Sequence, residues 1–142
     1  MIKLDNLTLP QLDYLCAKAQ GWEVRTHRFL GNAHYYSGKE PKVSVRHYHP
    51  TTNNAQSFKL IEVFGIEFTK SGCGYRGRNY TGPMIEGLLS GKVVDGIKDL
   101  KLFISTLVVA SQYGEYIDPK LLEERDAFYW DNPESIPDSI GG

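Results

Sequence analysis

The chain has 142 residues, 41% hydrophobic and 23% charged, which is one domain's worth of sequence near the globular norm and excludes wholesale disorder. Sixteen basic side chains against seventeen acidic ones give a formal charge of −1, which excludes a uniformly basic duplex-DNA binder but not a local cationic patch. The first helix is predicted over 9–20. Thr8 and Gln11 match a capping box, and Pro10 falls in the first turn, where its missing N–H costs nothing. Leu12, Leu15, Cys16 and Ala19 share a face, and Gly21 supplies the left-handed stop. Residues 22–30 read as a strand, Gly31-Asn32 as a turn, and 33–37 as a second short strand. Residues 42–49 read as a third strand, with Val43, Val45 and His47 on one face and Ser44, Arg46 and Tyr48 on the other. The polar stretch 50–57 reads as a loop. Residues 58–69 carry Leu60, Ile61, Val63, Phe64, Ile66 and Phe68 and read as a strand pair or a bulged strand.

Residues 70–82 form a glycine-rich cationic loop, with Tyr75, Arg76, Arg78 and Tyr80 and no acid. Pro83 opens a short helix through Leu89. A second long helix follows Asp99, where Leu100, Phe103, Ile104, Leu107 and Val108 repeat at helical spacing until Gly114. Asp118-Pro119 starts a third helix to about Tyr129, and Pro133, Pro137 and the final Gly-Gly give an irregular end. These elements predict an α+β fold in a single domain, 1–142: a small, mostly antiparallel sheet over about residues 22–68, packed by two or three helices. The apolar face of the 99–113 helix suits either an ordinary core or the seam of a homo-oligomer.

No apolar run approaches the ~20 residues of a membrane span, so no membrane partner is expected. The N-terminus lacks a signal-peptide layout. Cys16 and Cys73 make neither a metal-ligand spacing nor a disulfide framework, which points to a reducing cytoplasm. The net charge hides an asymmetry. Residues 118–142 hold seven acids and two bases, so −5, and end in an acidic tail at about 131–142; the rest holds fourteen bases and ten acids, so +4.

Two constellations carry chemistry. On a strand, His47 and His49 would share a face with Cβ atoms roughly 7 Å apart, a spacing compatible with metal ligation or proton transfer. In the glycine-rich loop, arginine offers planar forks for phosphate, tyrosine a face for a base, and glycine an open backbone for an anion. The loop matches neither a P-loop nor a dinucleotide fingerprint, and no cofactor is expected. The polar segment Thr51-Thr52-Asn53-Asn54-Ala55-Gln56 has dense local hydrogen-bonding capacity. No nucleophile motif or paired-carboxylate signature is present.

Leu12-Asp13-Tyr14 with Ala17-Lys18-Ala19-Gln20-Gly21 resembles the opening helix of the NinX-like phage proteins, a family of small proteins from the nin region of lambda-like phages. The family's central Tyr-x-Pro-Ser/Thr-Thr-Asp-Trp-Ala-Gln is similar to Tyr48-His49-Pro50-Thr51-Thr52-Asn53-Asn54-Ala55-Gln56 here. Its Val-Ala-Ser-x-Phe-Gly-Asp, followed by an acid and proline, is similar to Val109-Ala110-Ser111-Gln112-Tyr113-Gly114-Glu115 with Asp118-Pro119. Asn54 stands where the family has tryptophan, 57–60 lacks its Gly-Gly-Pro run, and 69–99 looks like an insertion. The family is a domain of unknown function. The resemblance implies a phage accessory role in the cytoplasm of an infected bacterial host rather than an activity.

The expectation is therefore a phage-encoded, non-enzymatic protein that sequesters a nucleotide-derived anion such as a host defence signal. Arg76 and Arg78 would contact phosphate and Tyr75 or Tyr80 would stack on a base. Tyr48, His49, Thr51, Thr52, Asn53 and Gln56 would line the same pocket. One alternative is a protein–protein inhibitor or adaptor of a host factor, anchored by Phe128, Tyr129 and Trp130 in the acidic C-terminus. The other is a metal-assisted phosphodiesterase using His47 and His49.

Overall fold

A computed structural model describes residues 1–27, 29–71, 74–79, 94–97 and 99–125. Helix α1 (Leu9–Ala19) begins as its sequence dictates: Thr8 Oγ1 accepts from Gln11 N–H at 3.3 Å and Gln11 Oε1 accepts from Thr8 N–H at 2.9 Å. Three strands come next as an antiparallel meander, β2 (Glu23–Thr26), β3 (Ala33–Ser37) and β4 (Glu40–Ser44), with β3 in the centre. The β2–β3 turn is pinned by its own histidine. His27 Nδ1 accepts from Phe29 N–H at 3.2 Å and Leu30 N–H at 3.1 Å, while Gly31 takes φ +74°.

The strand expected over 42–49 stops at Ser44. That residue pairs with His34, and β3 begins only one residue earlier, so no ladder remains for residues beyond Ser44. Residues Val45–His47 instead make a 3₁₀ turn, which sets the Tyr48 ring 5.1 Å from Trp22 and 5.7 Å from Tyr35. The loop expected at 50–57 and the strand expected from 58 are also corrected. Asn53 Oδ1 accepts from Gln56 N–H at 2.9 Å and starts helix α2 (Asn54–Phe64), which Gly65 ends at φ +63°. Ser57, Leu60 and Phe64 then lie buried along one face.

Strands β5 (Ile66–Ser71), β6 (Gly74–Asn79) and β7 (Val94–Ile97) form a second antiparallel sheet with β6 in the centre. Residues 74–79 of the expected cationic loop are thus strand, paired residue for residue from Ile66↔Asn79 to Ser71↔Gly74. The reason is packing: Tyr75 places its ring 5.8 Å from Phe103, and Gly77 lies on the same face. The helix expected at 83–89 lies outside the described residues.

Helix α3 (Leu100–Tyr113) starts where Asp99 Oδ1 accepts from Leu102 N–H at 2.9 Å. Residues 103–111 are buried without a break, because α1, α2 and the second sheet surround the helix. Its apolar load is spent inside the chain, so it is a core helix on every side. Cys16 of α1, 0% exposed, marks the α1–α3 contact, its Sγ 3.5 Å from Ser105 O. The chain then pairs β8 (Tyr116–Ile117) with β1 (Ile2–Lys3). Asp118 caps a 3₁₀ turn, Pro119–Leu122, in place of the first turn of the expected third helix. The rest of that helix beyond 125, and the acidic tail, lie outside the described residues.

The fold is α+β, and every described ladder is antiparallel. The described strands divide into two three-stranded sheets and a two-stranded pair, with α2 inserted within the stretch expected to be one sheet. Among the described residues, no helix is long and apolar enough to cross a membrane.

Candidate functional site

The end of α1, the first sheet and α2 enclose a cleft of about 460 Å³. Its aromatic wall is Trp22, half-buried, and Tyr48, 7% exposed. Gln20 Nε2 donates to the Tyr48 hydroxyl at 2.7 Å and to Cys16 O at 3.2 Å, which fixes the phenol at the end of α1. Burial pushes the Tyr48 phenol well above its ordinary range, so it stays neutral and able to donate. Val43 of β4 and Val63 of α2 supply apolar flanks. Lys42 of β4 and Lys59 of α2 also line it. Each lysine is held by a carboxylate of its own element: Lys42 Nζ is 3.4 Å from Glu40 Oε1, and Lys59 Nζ is 3.1 Å from Glu62 Oε2.

Tyr48 and Gln56, both expected in the site, do line this cleft. Gln56 also has an architectural task. Its Oε1 accepts from His49 N–H at 2.7 Å and its Nε2 donates to His47 O at 2.7 Å, clasping the turn before α2. The neighbouring candidates build that turn. Thr51 N–H donates to the buried Asp13 carboxylate at 3.0 Å, Thr52 Oγ1 donates to His49 O at 3.4 Å, and Asn53 caps α2. The 48–56 segment is thus a hydrogen-bonded corner tying α1 to α2.

Tyr75 and Arg76 sit elsewhere, on β6 of the second sheet. Tyr75 packs between Phe68 and Phe103, at 5.9 and 5.8 Å, while Arg76 is exposed. Arg78 is placed by its backbone, opposite Glu67. No described residue of β6 lines the cleft. Tyr80, Phe128, Tyr129 and Trp130 lie outside the described residues. His47 and His49 do not share a strand face, because the 3₁₀ turn intervenes; His47 Nδ1 lies 2.9 Å from Ser44 Oγ. Among the described residues, no group of three or more His, Cys, Asp or Glu could hold a metal ion.

The cleft residues that the sequence does not single out as a site are Gln20, Trp22, Ser37, Lys42, Val43, Lys59 and Val63. Gln56, Lys59 and Val63 are spaced three and then four apart, a helical stripe visible only once the segment is read as a helix. No family model matches the chain, and no curated protein matches it.

Proposed function

We propose that this protein is a non-enzymatic binding protein for a small, nucleotide-derived anion, held in the cleft between α1, the first sheet and α2. One observation carries the reading: lysines from two different elements, Lys42 and Lys59, line one cleft together with a tryptophan and a tyrosine. Lysine suits a phosphate as a mobile point charge, and an aromatic face suits a base. The resemblance of 48–56 and 109–119 to the NinX-like proteins supports a phage accessory context. In that context, binding without turnover would sequester a host defence signal in the cytoplasm of the infected cell.

The test is calorimetry of the whole chain against a nucleotide panel. Lys42→Ala with Lys59→Ala should weaken binding more than about tenfold, the scale of lost charge-assisted contacts. Trp22→Ala should do the same and abolish any ligand-induced change in tryptophan fluorescence at that site. Arg76→Ala with Arg78→Ala should leave the affinity within about twofold. Loss of binding in the arginine pair, with the lysine pair unaffected, would move the site to β6. Absence of binding across the panel would end the nucleotide reading.

A further inference from the structure

We infer that the cleft selects a nucleotide of one base and one sugar ending in a dianionic phosphate, over a cyclic or otherwise monoanionic one. This rests on the nucleotide reading above and adds the charge and size class of the ligand. Glu40 and Lys42 lie two apart on one face of β4, and Lys59 and Glu62 lie one turn apart on α2. Among the described residues, the cleft lining holds both lysines and no carboxylate, so Glu40 and Glu62 hold the ammonium groups from outside it. Both pairs face water, with Lys59 and Glu62 68% and 73% exposed, and pairs of this kind are weak.

An incoming anion must take both lysines from these carboxylates to gain the full attraction. A terminal phosphate carries roughly −1.5 to −2 charge at neutral pH and three acceptor oxygens, enough to face two ammonium groups at once. A phosphodiester carries a single charge and repays the loss of only one carboxylate. The two glutamates therefore set a charge threshold. The volume points to a small ligand: about 460 Å³ lies toward the low end of the roughly 300–1,000 Å³ range of ligand clefts. A single nucleotide is a ligand of the size that clefts of this volume take.

The probes are AMP, ADP and 3′,5′-cyclic AMP, titrated calorimetrically into the whole chain at low ionic strength. AMP and ADP should bind at least about tenfold tighter than cyclic AMP. Glu40→Gln and Glu62→Gln should each tighten AMP about two- to fivefold, the scale of a released surface pair. In a Lys42→Ala background, Glu40→Gln should change nothing; a gain that persists there comes from net charge alone and overturns the inference. Cyclic AMP binding as tightly as AMP, or a double glutamine variant no tighter than wild type, also overturns it while leaving the nucleotide reading intact. Failure of every nucleotide to bind the wild-type chain removes both. Circular dichroism of each variant checks that the fold is retained.

Discussion

Asp13 presents a carboxylate, 7% exposed, to the corner where α1 meets the turn before α2. Burial is the larger influence and raises its pKa from 3.8 to about 6, against the opposing hydrogen bond from Thr51 and the charge of Arg125. A folded-state pKa above the unfolded one means that the neutral acid favours the fold. Its contribution is complete below about pH 4 and is lost as pH rises through about 6. Asp13→Asn keeps an oxygen for the Thr51 N–H and removes the titration. Between pH 4 and pH 7.5, urea unfolding should therefore show the wild type losing stability relative to Asp13→Asn, by on the order of 3 kcal/mol. A pH-independent difference between the two would contradict this. His34 works in the opposite sense. Its burial lowers the imidazole pKa, so its contribution is present above 6.5 and is lost as pH falls. It is common to both proteins and leaves their difference unchanged.

At the scale of elements, Gly77 decides how closely β6 approaches α3. A Cβ there would meet Glu67 O, Phe68 Cβ at 2.8 Å and Phe103 Cζ at 2.9 Å. Two of the three are fixed to backbone, so Gly77→Ala should destabilise by roughly 1–3 kcal/mol, read as a lower urea midpoint at unchanged slope. The same glycine shows why β6 is hard to foresee. In sequence it belongs to a run that looks like mobile loop, whereas in the structure it is the flat spot that lets Phe103 lie on the sheet. Helices α1 and α3 were legible because their signals are local: Thr8 with Gln11, Pro10, Asp99 and Gly114 each act within a turn of the element they bound. Helix α2 was obscured by its composition. Phe58, Ile61, Val63 and Phe64 favour strands individually, and the deciding residues were its two ends, Asn53 and Gly65.

At the scale of the whole molecule, α3 is the organising centre of the described residues, with the second sheet, α1 and α2 around it, while the cleft is lined by the end of α1, the first sheet and α2. Of the candidate cleft, only Tyr48 and Gln56 stand out in the sequence, where they fall in a local motif. Trp22, Lys42 and Lys59 come from three separate segments, and no spacing along the chain encodes their meeting. The sealed thiol at the α1–α3 contact turns this architecture into a clock. Cys16 is enclosed on all sides, and burial also pushes its thiol up, so it is both shielded and protonated. An alkylating reagent can reach it only after α1 lifts away from α3, which opens the centre of the core. In a Cys73→Ser chain, one thiol remains. Its alkylation should run roughly 10³-fold or more slower than in the denatured chain and track the urea-derived stability, while alkylation at the denatured rate would mean that α1 does not dock on α3. A single cysteine thus reports, under native conditions and without denaturant, how often the whole core comes apart.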